Sequence, residues 1–386
     1  MTAQRATGEF RTSTTVGERV RAYVPKPLPP EPPVDLSTLY PMLDKANQAL
    51  GRLDGSIAVL PNARLFLYFY VRKEAVVSSQ IEGTQSTLSQ LLLFERGLGD
   101  STHIDDLIET SNYVAAMEYG LERLKDGFPI SLRLLRDIHG VLLRGGRGAE
   151  KTPGEFRRSQ NWIGGTRPGN AIFVPPPPEA LMECLDPLEK YLYDERLPLL
   201  VKLGLVHVQF ETIHPFLDGN GRLGRLLLTL LLCESGVLRE PMLYLSLYLK
   251  INRDRYYELL QKVRVEGVWE EWLEFFIEGV TQTANQACET ADSLRRLFRE
   301  DSLKIHDLGA AAGTATQVHL YLQANPISTI SSIAEAISKT VTTVTAVLMK
   351  LENLGIVHEG TGRRRNRIFF YQGCLDLIGT GTEPLP

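Results

Sequence analysis

The stretch HPFLDGNGRLGR, His214 to Arg225, packs one histidine, one carboxylate, three glycines and two arginines into twelve residues. Just upstream, LGLVHVQFETI sets Leu203, Val206, Phe210 and Ile213 on one helical stripe. Pro215 ends that helix near His214. A second helix is expected from near Gly221 to Gly236. The quoted residues therefore form a loop from one helix C-terminus to the next helix N-terminus. At Gly219, Asn220 and Gly221, where the new helix begins, free backbone N–H groups and the positive dipole end make an anion site. Glycine lets a phosphate come close to the backbone. Arg222 and Arg225 are three apart and share a helix face. Two guanidiniums over a backbone nest suit a polyphosphate. Asp218 beside them suits Mg2+, which takes a carboxylate together with phosphate oxygens. His214 can accept a proton near neutral pH. Any two of these features fit an ordinary turn; all of them in one loop read as base, metal ligand and triphosphate clamp. No GK[ST] follows, so this is not a Walker A loop.

The rest of the chain sets the frame. A length of 386 residues suggests two or three domains. A hydrophobic fraction of 43% allows a sizeable core. The net charge of −4 gives no global field for nucleic acid, so any such role is local. Cys184, Cys233, Cys288 and Cys374 form no CxxC pair, which argues against a zinc site or disulfide framework and for a reduced, cytoplasmic setting. The first residues lack an apolar signal segment. LLLTLLLC, Leu226 to Cys233, is too short to span a bilayer and reads as a buried helix, so no membrane role is expected.

VPKPLPPEPPVD, Val24 to Asp35, reads as part of an extended arm. Ala63 to Gly83 reads as a helix that turns polar toward its end. Ser131 is an expected N-cap for SLRLLRDIHGVLLRG. SQNWIGGTRPGNAIFVPPPP, Ser159 to Pro178, breaks the helical rhythm and reads as a β-hairpin. Helices resume after it, followed by the charged run SLRRLFRED and the small-residue stretch GAAAGTAT, which read as a linker.

The opening stretch matches HPFxxGNGRxxR at every fixed position. This is the signature of the Fic family of AMP-transferring proteins, which the chain resembles. HVQFETIHPF, PGEFRRSQNWIGG, YYELLQ and WLEFF also look like Fic core elements, and the resemblance runs roughly from Thr38 to Ala291. It implies a mainly α fold: a Fic helical core with a β-hairpin flap. ATP and Mg2+ are the implied ligands, and AMP transfer to a Tyr, Thr or Ser hydroxyl of a target protein, or of itself, is the implied activity. His214 would take the hydroxyl proton and Asp218 would hold Mg2+. Gly219, Asn220 and Gly221 would bind phosphate oxygens. Arg222 would stabilise the α- and β-phosphates, and Arg225 the γ-phosphate. Tyr257 and Leu260, with Tyr256, resemble the adenine side. Ile163, Gly164, Gly165 and Val174 fall in the flap, which would hold the target as an added strand. His207 is read as a packing residue.

SSQIEG, Ser78 to Gly83, fits [ST]xxxE[GN], the inhibitory-helix motif of the same family. Ser78 and Glu82 would share a helix face, with Gly83 after them. Glu82 would pair with Arg225 in bidentate fashion and take the guanidinium that the γ-phosphate needs. In some relatives the same glutamate supports removal of AMP.

The last seventy or so residues resemble a winged helix-turn-helix. Val341, Val344, Val347, Leu348 and Leu351 would face its core, and Arg363, Arg364, Arg365 and Arg367 would form a basic wing tip suited to DNA phosphates. A protein-interaction or dimer module is the alternative for this unit. The chain is thus divided into a proline-rich arm (1–37), a helical region with the inhibitory helix (38–105), the Fic core (106–291), a linker (292–313) and the winged unit (314–378). The expected function is self-inhibited AMP transfer. Two rivals are a DNA-binding regulator whose Fic core senses nucleotide, and a Fic enzyme that removes AMP.

Overall fold

The computed structural model of the chain describes residues 5–58, 63–98, 103–362 and 367–385. Helix dominates, as expected, with two small antiparallel sheets.

The chain opens with an antiparallel hairpin of β1 (Gly8–Thr15) and β2 (Glu18–Pro25), paired from Gly8↔Pro25 to Thr15↔Glu18. This departs from the extended arm. Val16 and Gly17 both take positive φ, 50° and 77°, which is the backbone a two-residue hairpin turn requires. The sequence hides the turn because a valine stands where Asn or Asp is usual. Val20 and Ala22 on β2 are buried against Val174, with Trp162 and Ala171 beside them.

Helices α1 (Tyr40–Ala58), α2 (Ala63–Ile81), α3 (Leu88–Phe94), α4 (Ile104–Lys125) and α5 (Leu132–Leu142) follow. Ser131 caps α5 by accepting the Leu134 N–H at 3.3 Å. After the flap segment come α6 (Leu181–Tyr191), α7 (Leu199–Ile213), α8 (Asn220–Glu234), α9 (Ser246–Ile251), α10 (Arg253–Glu266) and α11 (Trp269–His306). Nearly every side chain of α7 and α8 is buried. A helix apolar on all sides belongs at the centre of a core, and α7 does pack among α6, α8, α10 and α11. Gly204 lets α11 approach closely, so Trp272 Nε1 donates to Gly204 O at 2.9 Å.

The residues read as a linker are mostly helix. α11 runs unbroken for 38 residues, about 57 Å at the usual rise. SLRRLFRED contains no breaker, and Ala287, Ala291, Leu294, Asp301 and Ile305 keep one face buried at helical spacing. The run is therefore an amphipathic helix end.

The C-terminal unit runs α12 (Ala312–Ala324), β3 (Ile327–Thr329), α13 (Ile330–Ala336), α14 (Val341–Asn353), β4 (His358–Glu359), β5 (Ile368–Phe370) and α15 (Gln372–Gly379), with strand order β3–β5–β4. Val344, Val347, Leu348 and Leu351 face its core as expected, but Val341 is exposed. Val341 is the first residue of α14, one position after the N-cap Thr340, and lies before the buried face begins. The unit packs back on the core through α15, which meets α2 and α3. Gln80 on α2 donates from Nε2 to both Ser86 O and Thr382 O at 2.8 Å. Arg363, Arg364 and Arg365 lie outside the described residues, while Arg367 stands 5.6 Å from the Phe369 ring. Among the described residues, no helix is long and apolar enough to cross a membrane.

Candidate active site

The loop between α7 and α8 is held in shape by its neighbours. His214 caps α7 in the left-handed region, φ 49°, so the chain turns sharply there. Arg157 Nε and Asn161 Nδ2 donate to His214 O at 2.9 and 3.3 Å, and the Arg157 N–H donates to Pro215 O at 3.0 Å. His139 of α5 stacks on Phe216 with ring centroids 3.8 Å apart. Its Nδ1 accepts the Gly154 N–H at 2.9 Å, so its proton sits on Nε2, which donates to Asp218 O at 3.0 Å. None of these supports announced itself in the sequence, because each lies far from the loop along the chain.

Asn220 also holds the loop together. Its Nδ2 donates to Phe216 O and its Oδ1 accepts the Phe216 N–H, both at 2.9 Å. Both ends of the amide are used inside the loop, so the side chain clamps the turn, and its second Nδ2 hydrogen is left for a phosphate. Gly219, at φ 76°, is the N-cap of α8; only glycine takes that backbone without strain. The N-terminal N–H groups of α8 then face the site.

His214 is held neutral. Burial, followed by the Arg264 and Arg157 cations, pushes its imidazole down to about 3. Its Nδ1 has no hydrogen-bond partner among the described residues. The ring therefore carries a free lone pair, while the burial and cations that keep it neutral also resist its protonation.

Asp218 is 39% exposed, with Oδ1 accepting the Gly219 N–H at 2.6 Å. Among the described residues no three His, Cys, Asp or Glu side chains converge. Mg2+ bound through one carboxylate, substrate phosphates and water needs no such group, and an open carboxylate at the lip of an anion cradle fits that ion.

Arg222 Nη1 lies 2.8 Å from Glu109 Oε1 and Nη2 lies 3.6 Å from Asp218 Oδ1. Neither the Arg222–Glu109 contact nor Arg222 Nε forms an aligned hydrogen bond. The contact is an ion pair by distance and leaves Arg222 donors unused, as a site for a polyanion would. Glu109 on α4 also accepts from Arg147 Nη2 at 3.0 Å.

Arg225 is buried and meets the SSQIEG motif. Its Nε donates to Ser78 Oγ at 2.8 Å, and its Nη2 donates to Ser78 O at 2.9 Å and to Glu82 Oε1 at 2.7 Å. The expected bidentate pair is thus a single contact, because α2 ends at Ile81 and Ser78 takes the other face of the guanidinium. Burial raises the Glu82 carboxyl, but the Arg225 charge and hydrogen bond outweigh it and hold the group below its usual range. The same carboxylate lies against the first turn of α8: a Cβ at Gly221 would collide with Glu82 Oε1. Gly83, at φ 104°, ends the helix behind it. Tyr257 is partly exposed nearby, and Leu260 is buried. Burial and then the Glu82 charge push the Tyr257 hydroxyl up to about 12. His207 is a packing residue, as read: it is buried, stacked on Trp272 and bonded to Tyr256 OH at 2.9 Å.

The expected flap hairpin reduces to one bridge, Ile163↔Phe173, around a 3-10 turn at Pro168–Asn170. Asn170 Oδ1 accepts the N–H groups of Thr166 and Arg167, both at 3.0 Å, and prolines from Pro175 onward cannot extend a ladder. Gly164 and Gly165 are exposed and Ile163 is half-buried. Val174 is engaged with β2: its carbonyl accepts the Tyr23 N–H at 2.8 Å.

Comparison with known proteins agrees with this geometry. Residues 40–122 match the Fic/DOC family N-terminal region and residues 129–232 the Fic/DOC family. The chain is 30% identical over 246 residues to Protein adenylyltransferase Fic of Drosophila erecta, covering 62% of this chain and 46% of the relative. It is 31% identical over 246 residues to the protein of that name from Drosophila grimshawi, covering 62% and 47%. The chain spans about half the length of the curated relatives it matches. In fold it is similar to a Fic family protein from Desulfovibrio desulfuricans G20, with a TM-score of 0.57, 18% identity, and coverage of 88% of this chain and 97% of that one. Through its loop, the helices around it and the region before them, the chain carries a Fic/DOC family N-terminal region and a Fic/DOC family domain.

Proposed function

We propose that this protein transfers AMP from ATP to a Tyr, Thr or Ser hydroxyl of a target protein and of itself, and that Glu82 against Arg225 holds it inactive. The observation that carries this reading is where Glu82 lies. Its carboxylate rests on the first turn of α8 and on Arg225, the place an anionic phosphate would take. The neutral His214 beside that cradle supplies the base.

The target hydroxyl gives its proton to the His214 imidazole. Its oxygen forms a bond to the α-phosphorus, the bond from that phosphorus to the bridging oxygen breaks, and pyrophosphate leaves. The α8 N–H groups and Arg222 hold the phosphates where charge develops, and Arg225 takes the γ-phosphate once Glu82 leaves. Asp218 would hold Mg2+, which neutralises phosphate charge when bound. The target segment meets the flap at Ile163, Gly164 and Gly165.

We read the C-terminal unit as a winged helix-turn-helix that binds DNA. What supports this is its order of helices and antiparallel strands, and the exposure of Thr340, Val341, Thr342 and Thr343 at the start of α14.

The central test is His214→Ala in the chain that also carries Glu82→Gly, where the proposed brake is released. AMP incorporation from α-labelled ATP should fall by about 100- to 10,000-fold, with ATP binding nearly intact. Transfer at the parent rate would remove this histidine, and the mechanism with it.

A further inference from the structure

Glu211 lies on the last turn of α7, three residues before His214. The left-handed cap at His214 folds its ring toward this side chain, and Glu211 Oε2 stands 3.8 Å from His214 Nδ1. Both groups are largely buried. Nδ1 and Glu211 Oε1 each lack a hydrogen-bond partner among the described residues. Two unpaired buried polar groups side by side call for an explanation.

The fold makes room for this carboxyl. Gly224 on α8 faces it, and a Cβ there would stand 2.6 Å from Glu211 Oε1. Gly224 is not one of the fixed positions of the signature, so the signature does not account for that space. The charged groups facing Glu211 are the Arg225 and Arg264 guanidiniums, the Glu82 carboxylate and His214 itself. Arg264 spends its hydrogen bonds elsewhere: Nη2 donates to Glu211 O and Nε to Thr212 Oγ1, both at 3.1 Å. Among the described residues neither guanidinium hydrogen-bonds the Glu211 carboxyl group; Arg225 acts on it through its charge, and His214 Nδ1 stands 3.8 Å from it.

We propose that Glu211 is a positioning residue for His214: its carboxylate accepts the Nδ1 proton, keeps the lone pair on Nε2 toward the site, and steadies the imidazolium that forms when the target hydroxyl is deprotonated. A hydrogen bond needs the 3.8 Å gap to close by about 1 Å, and a charged ring supplies the attraction. Orienting a base through its second nitrogen is how the third member of hydrolase triads works. Burial, opposed by Arg225 and Arg264, puts the Glu211 carboxyl at about 7, so the carboxylate is accessible near neutral pH. Burial, Arg264 and Arg157 disfavour the imidazolium, opposed by the Glu211 backbone and the Glu82 charge; a Glu211 carboxylate drawn to Nδ1 adds to that opposition.

The kinetic arm of the test rests on the AMP-transfer reading; the spectroscopic arm does not. The full chain carrying Glu82→Gly is compared with the same chain carrying Glu211→Gln as well. Nitrogen-15 NMR reports the His214 tautomer, and labelled ATP reports kcat and KM. The double variant should lose about 10- to 100-fold in kcat with KM for ATP within about two-fold, and its Nδ1–H tautomer should lose population. Both must move: if either stays unchanged, the inference is overturned. If the Glu82→Gly parent transfers no AMP, the functional reading fails, and the tautomer alone decides on Glu211. Should Glu211→Gln not fold, Gly224→Ala drives the carboxyl away through its Cβ and is judged by the same two criteria.

Discussion

Replacing Glu82 by glycine removes the carboxylate that rests on the first turn of α8 and on Arg225. Arg225 keeps its two contacts to Ser78, and residue 82 lies past the end of α2, so the fold tolerates the change. The lost interaction is a charge-assisted hydrogen bond at 2.7 Å to a buried guanidinium. Such bonds contribute about 1.5–3 kcal/mol net, and Glu82 is about one-third exposed, so about 2 kcal/mol is reasonable here. An incoming γ-phosphate no longer has to displace that carboxylate. At 1.4 kcal/mol per decade, AMP incorporation should rise about 30-fold, and more if the α-phosphate then settles in line with the attacking oxygen. The assay is incorporation of AMP into the protein from α-labelled ATP, for wild type, Glu82→Gly, Arg225→Ala and the double variant. The double variant should lose most of the gain, because the brake acts through the arginine. Unchanged incorporation in Glu82→Gly, with folding and ATP binding both verified, refutes the reasoning and makes SSQIEG an ordinary helix end.

Two further outcomes are expected. Asn220→Ala leaves the Phe216 N–H and C=O without their partner, so it should cost about 2–3 kcal/mol in denaturant unfolding without any ligand; a change below about 0.5 kcal/mol would return Asn220 to a phosphate-binding role alone. Neutralising Arg363, Arg364, Arg365 and Arg367 in the full chain should flatten the salt dependence of duplex DNA binding by about one unit of slope per lost phosphate contact. An unchanged slope, or no salt-sensitive binding at low ionic strength, would make the C-terminal unit a protein-interaction module.

The parts of this molecule that local sequence specifies were readable, and the parts set by distant contacts were not. His214, Asp218, Gly219 and Arg225 fall within one turn and two helix ends, where proline, glycine and spacing fix the backbone directly. The ends of α7 and α8 followed from the same signals. Glu109 and His139 give no such signal, since a lone Glu or His on a helix is usually solvated or packed; Arg157 and Glu211 lie in PGEFRRSQNWIGG and HVQFETIHPF, but those stretches do not display what either side chain touches, and only the fold brings all four to the loop. The bidentate Glu82–Arg225 pair was overdrawn because Ser78 Oγ and O compete for the same guanidinium, which a motif cannot display. The N-terminal hairpin was missed because Val16–Gly17 is an unusual hairpin turn and prolines dominate the segment after it. In sequence the charged run SLRRLFRED reads as a boundary, yet Leu294, Asp301 and Ile305 continue the buried face of α11.

The charges around the loop explain why Glu82, among its carboxylates, can act as a switch. Arg222 and Arg225 are almost fully buried, and an unpaired buried cation is costly. Glu109 stands against Arg222, while Glu82 pairs with Arg225 and Glu211 faces the same guanidinium. Glu109 and Glu211 are buried, and burial raises both carboxyls. Moving either one out would mean opening helix packing. Glu82 lies on a turn past a helix end with about a third of its side chain in solvent, so it can swing away when only the end of α2 yields. A phosphate that arrives on Arg225 restores the charge that Glu82 takes with it. The exchange therefore keeps the guanidinium paired throughout, and its direction depends on which anion binds the α8 terminus more tightly. That makes nucleotide concentration, together with anything that holds the end of α2 in place, the quantity to which the proposed brake should respond. Gln80, two residues before Glu82, already donates to the backbone of Thr382 beyond α15, so the segment that must give way is tied to the C-terminal unit. Gln80→Ala should therefore loosen the brake in the same direction as Glu82→Gly but by less, about 3- to 10-fold in AMP incorporation, the equivalent of about 1 kcal/mol for a neutral hydrogen bond. A variant in which Gln80→Ala leaves incorporation unchanged would separate the C-terminal unit from control of the site.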